Sequence, residues 1–261
     1  MKLEGKHVIL TGAASGIGLA LLNLLAEYPL RLIAVDQNAV ALQAACAALV
    51  GKPARITPHV CDLSKPENVD ALFEHARSTF GHIDLFIANA GFAYYEKIET
   101  PDWAHIEKIF RVNVFSALYA FEKMQALNAG REHKTVITAS AMAHIGVPGY
   151  ALYSATKAAL DRFADAYRWQ MDDPRELMLV YPIATRTAFF EAAGEGVPTP
   201  WPSQPAETVA QTVIRGIWRD ATRVYPSLTF QIILLLKRIL PMHALVQYLE
   251  QRRFKAWLKR R

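Results

Sequence analysis

Cysteine is nearly absent from this chain: Cys46 and Cys61 are the only two in 261 residues, and they lack C-x-x-C spacing. That excludes a disulfide framework and a thiolate metal cage, and the expected compartment is a reducing one. Long apolar runs are also lacking. The most apolar stretch, Leu228 to Leu240, is broken by Gln231, Lys237 and Arg238 and stops at Pro241, so it is too short and too charged to span a bilayer. No secretory leader is legible where Lys2, Glu4 and Lys6 run into Val8-Ile9-Leu10. The expected location is therefore cytoplasmic, with a peripheral place on a membrane as the alternative. Internal repeats and low-complexity blocks are missing. Basic charge is scarce outside the chain end: the net charge is +5, but Arg252 to Arg261 hold six basic side chains and no acid, leaving −1 elsewhere. This distribution excludes a nucleic-acid-binding face across the domain. It fits a local contact with anionic lipid or an acidic partner, the alternative being a solvated charged tail.

What is present is apolar bulk, 52% of the residues, enough for one substantial core. Short β-branched or apolar runs read as strands at His7-Leu10, Leu32-Val35, Ile56-Val60, Leu85-Ala88, Thr135-Ala139 and Met178-Tyr181. Between them, Ile17-Tyr28, Ala39-Val50, Pro66-Phe80, Asp102-Ala129 and Tyr153-Met171 read as helices. Such alternation predicts an α/β fold: a doubly wound parallel sheet of the Rossmann type in three α/β/α layers. Residues 1–225 are expected to form one dinucleotide-binding and catalytic domain, with a lid at about 188–205. The segment Gly194 to Pro205 reads as a loop, and Phe189, Phe190 and Trp201 give the lid apolar bulk. Residues 226–261 are expected to form an amphipathic, basic, helical extension.

Ligands of such sheets sit beyond the carboxyl ends of the strands. Directly after the first strand comes Thr11-Gly12-Ala13-Ala14-Ser15-Gly16-Ile17-Gly18, followed by a helical pattern. Glycines let the backbone turn tightly and a pyrophosphate approach, and the helix N-terminus offers free N–H groups. Gly12, Ser15, Gly16, Ile17 and Gly18 are therefore candidate cofactor contacts, although the spacing departs from G-x-G-x-x-G. Asp36 closes the second strand, placed to accept hydrogen bonds from the adenosine ribose hydroxyls and to repel a 2′-phosphate. NAD is thus favoured over NADP; the competing reading is an Asp that merely opens a turn. Asp62 and Leu63 after the third strand, and Asn89, Ala90 and Gly91 after the fourth, extend the same rim.

Tyr153 and Lys157 lie i, i+4 on a predicted helix, phenol and ammonium on one face. Tyr119 and Lys123 share that spacing inside another helix, so spacing alone proves little. The difference is Ser140, which ends the fifth strand and so meets the cofactor edge beside Tyr153. A phenol near pKa 10 needs a cation and hydroxyls around it to carry a proton at neutral pH. Lys157, together with the positive ring of a bound nicotinamide, is expected to lower it, and Ser140 to hold the substrate oxygen. From residue type alone, Asn113 is a polar residue inside a helix.

From about Lys6 to Thr187, this ordered set closely resembles the short-chain dehydrogenase/reductase family, in its short single-domain branch: Thr11-Gly12-x-x-x-Gly16-x-Gly18, Asn89-Ala90-Gly91, Asn113, Ser140 and Tyr153-x-x-x-Lys157. The resemblance implies an Asn113, Ser140, Tyr153, Lys157 tetrad, with Lys157 also binding the nicotinamide ribose and Asn113 holding a proton-relay water. It also implies a carboxamide contact at Thr187, with Pro182 and Thr185 as neighbouring cofactor contacts. The family's Pro-Gly after the sixth strand is Pro182-Ile183 here, which puts a bulky side chain near the expected nicotinamide.

Substrate and partners are less constrained. In the tail, Leu245, Leu249, Phe254, Trp257 and Leu258 alternate with basic residues, a pattern that suits a membrane-interface helix, a subunit interface or packing on the chain's own domain. Similarly extended relatives act on lipids, retinoids or steroids, so the expected substrate is an apolar alcohol or carbonyl compound, with Phe92, Tyr94 and Tyr95 as candidate pocket residues. The resemblance also implies a homodimer or homotetramer formed through the helices Asp102-Ala129 and Tyr153-Met171. Two alternatives stand beside this: an NADP-dependent ketoacyl-type reductase, and a dinucleotide-binding, non-catalytic protein recruited to a membrane. No metal is expected.

Overall fold

Unbroken runs rich in Val, Ile and Leu place β1 (His7–Thr11), β2 (Arg31–Asp36), β4 (Leu85–Ala88), β5 (Lys134–Thr138) and β6 (Leu177–Val180) in the interior of a sheet buried on both faces. The more polar β3 (Arg55–Val60) forms one edge. At the other, β9 (Arg223–Val224) adds two residues. The computed structural model describes residues 1–194, 197, 202–236 and 242–259. Among these, the sheet has seven parallel strands in the order β3-β2-β1-β4-β5-β6-β9. The chain winds outward from β1 in one direction and from β4 in the other, so the crevice at their carboxyl ends is the topological switch point where such sheets bind ligands.

Alternation along the strands feeds two cores. Val8 and Leu10 face the layer of α1 (Gly16–Leu25), α2 (Ala39–Ala47) and α8 (Ala206–Trp218), packing with Leu21, Leu25, Leu42, Val213 and Ile217. Ile9 and Phe86 face the layer of α3 (Pro66–Phe80), α5 (Ser116–Leu127) and α6 (Ala151–Tyr167), packing with Leu72, Phe121 and Leu160. The six strands expected from the sequence are present, their ends shifted by a residue or so. The helix expected at 102–129 is α4 (Trp103–Phe110) and α5, joined by a π turn at Arg111–Phe115. The turn's widened backbone carries Asn113.

Besides β9, four more elements lie outside the expected set. β7 (Ala184–Arg186) and β8 (Ser203–Pro205) form a small parallel pair, so the end of the presumed loop is a strand and buries Gln204. Between them lies the short α7 (Phe189–Ala192). α8 follows directly. The extension holds α9 (Leu228–Leu236) and α10 (Met242–Leu258). Trp201, Pro241 and the side chain of Leu245 lie outside the described residues.

Candidate active site

Along the switch point runs a cavity of about 760 Å³. It is lined by Gly12, Ser15, Gly16, Ile17, Asp36, Asp62, Leu63, Asn89, Ala90, Gly91, Ser140, Tyr153, Lys157, Pro182, Thr185 and Thr187. Sixteen of the eighteen candidate catalytic and cofactor residues therefore face one space; Gly18 and Asn113 do not line it.

Gly12 and Gly16 take positive φ, +67° and +54°. Gly18 permits the closest approach: a Cβ there would lie 1.8 Å from the Gly12 carbonyl oxygen and 2.8 Å from Asn89 Nδ2. The first-turn N–H groups of α1 have no partner within the helix, and the Ser15 side chain does not cap them. They are free for an anionic group. Asp36 accepts from Ala14 N at 3.1 Å and Asn38 N at 2.9 Å, which fixes its carboxylate at the cavity rim. Among the described lining residues the only cations are Lys108 and Lys157. Hydrogen bonding from Ser64 holds Asp62 below the usual carboxylate range, with Lys65 and then Lys108 adding smaller contributions. These donors and acceptors fit a pyrophosphate at Gly12 to Gly18 and a ribose at Asp36. Lys157 and the residues around Thr187 are left for the nicotinamide end.

Asn89 serves mainly as a brace. Its Nδ2 donates to Thr11 O at 3.2 Å and Gly12 O at 3.4 Å, and its Oδ1 accepts from Thr138 Oγ1 at 3.2 Å. Thr11 Oγ1 accepts from the N–H groups of Asn89 and Ala90 and donates to Ile87 O. Neither Thr11 nor Thr138 was among the residues assigned a site role from sequence, though both stand at strand ends, where a hydroxyl ties one rim loop to the next.

Tyr153 and Ser140 meet as expected, the Ser140 hydroxyl hydrogen-bonding to the phenol. Ser140 also accepts from Met142 N at 3.1 Å, opening the short turn that leads to α6. Lys157 Nζ donates to Thr138 O at 2.7 Å and lies 5.6 Å from the centre of the Tyr153 ring. The expected lowering of the Tyr153 pKa by this lysine is not what the protein alone produces. Burial pushes the phenol up to about 12, the Ser140 bond acting against it. Burial likewise brings the ammonium down to about 7. Desolvation outweighs pair attraction where both groups are withdrawn from water.

That depression has a consequence for stability. Below pH 7 both the folded and the unfolded chain carry the ammonium, and the folded state bears the whole burial penalty. Between about 7 and 10.5 the unfolded chain holds a proton that the folded one has lost, so stability rises with pH. Lys157→Met is expected to melt higher than wild type at about pH 6.5, by roughly a few kcal/mol, and this margin should shrink by about pH 9.5. The unmatched Thr138 carbonyl adds a pH-independent offset. Thermal melts at the two pH values check this; an equal margin at both would contradict it.

Asn113 does not line the cavity. Its Oδ1 accepts from Phe92 N at 3.0 Å, and its Nδ2 donates to Phe92 O at 2.9 Å and Thr156 Oγ1 at 3.2 Å. It clamps the chain just past Gly91 against α6, beside Lys157. The second Tyr-x-x-x-Lys pair is occupied elsewhere: Tyr119 Oη donates to Asp70 at 2.8 Å and Lys123 pairs with the same carboxylate at 2.5 Å, on the outer helical layer.

Phe92, Tyr94, Met142, Tyr150, Ile183, Phe189 and Phe190 give the Tyr153 end of the cavity apolar walls. Tyr95 differs from expectation. It lies outside the cavity, packed against Trp257 at 4.8 Å and Phe254 at 5.5 Å between ring centres. Phe254 and Trp257 of α10 thus pack on their own domain.

The fold and the groups around its switch point define a dinucleotide-binding α/β oxidoreductase. Residues 6–197 match the short chain dehydrogenase family. The chain belongs to that family, the short-chain dehydrogenases/reductases, whose cofactor is a nicotinamide dinucleotide. It is similar to estradiol 17-beta-dehydrogenase 11 of Macaca fascicularis, 25% identical over 247 residues that cover 92% of this chain and 80% of the relative. Its fold is similar to a short-chain dehydrogenase/reductase from Burkholderia phymatum in complex with NAD (TM-score 0.78, 21% identity, 91% of this chain and 94% of that one). It is also similar to a short-chain dehydrogenase from Sphingobium yanoikuyae in complex with NADPH (TM-score 0.77, 23% identity, 85% and 88%).

Proposed function

We propose that the protein interconverts an apolar alcohol and its ketone or aldehyde, using NAD in preference to NADP, with Tyr153 as the proton carrier. The observation that carries this reading is the convergence of Ser140, Tyr153 and Lys157 at the apolar end of the cavity whose other end presents Asp36. The nicotinamide, when bound, supplies the hydride donor or acceptor. Ser140 orients the substrate oxygen. Tyr153 gives it a proton in reduction and takes one in oxidation, and Lys157 is placed to stabilise the phenolate and hold the ribose. Asn113 holds the Gly91-Phe92 backbone in place and, by the family's pattern, a relay water. A steroid substrate for the Macaca relative is in keeping with the aromatic walls.

In this reading residues 1–225 do the chemistry, with Phe189 and Phe190 as the lid. Residues 226–261 form an extension in peripheral contact with a membrane. The assembly is a homodimer or homotetramer, for which the exposed Trp103, Ile106 and Phe115 of the helix at 103–127 supply an apolar face. NADP selectivity is disfavoured because a 2′-phosphate would meet the Asp36 carboxylate.

The test is fluorescence titration with NADH and NADPH at fixed salt. Wild type is expected to prefer NADH. Asp36→Ala should lose about tenfold or more in NADH affinity, about 1.4 kcal/mol or more, while gaining relatively toward NADPH. Equal affinity for both nucleotides in wild type would overturn the NAD assignment.

A further inference from the structure

In the extension, chemistry is sorted by face. α9 turns Phe230 into the protein, against His144 and Tyr225, with Ile233 and Leu234 half-buried beside it. Leu228, Ile232, Leu235 and Leu236, spaced i, i+4, i+7 and i+8, form a stripe on the opposite side and are 36% to 75% exposed. α10 is sorted differently. Glu250, Phe254, Trp257 and Leu258 face inward. Tyr248, Arg252, Lys255 and Lys259, spaced i, i+4, i+7 and i+11, share the exposed outer face. From 226 to 261 the sequence has eight basic residues and one acid, Glu250, which is buried and paired with Arg253 at 2.7 Å. This segment therefore carries +7 and the rest of the chain −2.

Packing among the described residues does not account for an exposed stripe of four large aliphatic side chains. A second copy of the chain would bring another +7 against the first. The complement of an aliphatic face beside a basic, tyrosine-bearing face is acyl chains beneath anionic headgroups. Both helices rest on the segment that leads from Ser140 to Tyr153: α9 through Phe230 on His144, α10 through Gln247 Nε2 donating to Gly146 O at 3.4 Å.

We propose that the stripe of α9 and the outer face of α10 form a docking surface for an anionic phospholipid bilayer. Leu228, Ile232, Leu235 and Leu236 enter the acyl boundary, and Arg252, Lys255 and Lys259 pair with headgroup phosphates. This rests on the reading of residues 226–261 as a membrane contact and specifies its faces and its lipid. Of the three roles open to Phe254 and Trp257, packing on their own domain is the one they take, and they anchor the extension there.

The experiment is flotation of the full chain with vesicles of phosphatidylcholine alone and of phosphatidylcholine with phosphatidylglycerol, at low and high salt. The expected result is binding to the anionic vesicles that weakens with salt. Ile232→Glu/Leu235→Glu and Arg252→Ala/Lys255→Ala/Lys259→Ala should each weaken it by about tenfold or more, with NADH affinity unchanged as the check on folding. Absence of vesicle binding by wild type, or equal binding by wild type and both variants, overturns the proposal. So does a fall in molar mass by light scattering in Ile232→Glu/Leu235→Glu without loss of vesicle binding, which would assign the stripe to a subunit contact. Flotation needs no substrate, and turnover of an apolar alcohol in lipid-free buffer needs no vesicle, so the docking surface and the proposed reaction fail independently.

Discussion

Tyr153→Phe is expected to lower kcat by about 10²- to 10⁴-fold, the range for loss of a positioned proton carrier, with little change in affinity for NADH. Removing the hydroxyl leaves the ring in its aromatic surroundings, where it meets Phe189 at 5.6 Å. The fold and the dinucleotide end of the cavity should persist. The phenol is held up to about 12 by burial, so at neutral pH it is protonated and ready to donate to an alkoxide. Alcohol oxidation needs the phenolate and should therefore quicken as pH rises, whereas carbonyl reduction should not. Ser140→Ala removes a donor to the substrate oxygen and one bond to the phenol, with an expected loss of about 10²-fold. Steady-state kinetics in both directions across pH, beside NADH titration, check these outcomes. A Tyr153→Phe variant with near wild-type kcat would remove Tyr153 from the chemistry.

Gly18→Ala is expected to produce the largest structural effect of any methyl-sized change at the site. The added carbon would stand 1.8 Å from the Gly12 carbonyl oxygen, a backbone atom that moves only if the whole glycine-rich turn moves. Overpacking of this kind costs about 3 kcal/mol, which for a chain of this length is a fall in Tm of roughly 6–12 °C. NADH affinity should drop with it, because the displaced turn is the pyrophosphate seat. Gly51→Ala is the control: it also has positive φ, +89°, but nothing lies within 4 Å of the added carbon, and about 1 kcal/mol of backbone strain is expected. Thermal melts of the two variants separate crowding from strain. Equal, small shifts would mean that the turn at Gly12 to Gly18 is looser than its geometry implies.

The parts of this protein legible in the sequence are those where one physical requirement dominates. Strands buried on both faces leave unbroken apolar runs, and the crevice of a doubly wound sheet must lie at their carboxyl ends. Gly12, Asp36, Asn89 and Ser140 could therefore be placed on one rim before any contact was known. β9 was not legible because two residues, Arg223 and Val224, are too few to show a period. β8 was hidden in a Pro-rich stretch that reads as loop. α8 carries Val209, Val213 and Ile217 at helical spacing and could have been read.

The braces were harder. Thr11 and Thr138 act through single hydroxyl bonds that no periodicity announces. The π turn at Asn113 replaces one regular helical stretch by another with the same residue types. The inward direction of Phe254 and Trp257 depends on Tyr95, more than 150 positions earlier in the chain. The raised phenol of Tyr153 in the protein alone is not legible either, because spacing reports the neighbouring cation and says nothing of the water that burial removes.

The most direct test of the central claim is to supply NAD with a panel of apolar secondary alcohols, steroid and long-chain, and to follow the appearance of reduced nicotinamide with wild type and Tyr153→Phe side by side. The account predicts turnover by wild type with at least one of them and loss of it in the variant while NADH still binds. Tight NADH binding with no turnover of any alcohol, or of the matching ketones in the reverse direction, would contradict the account.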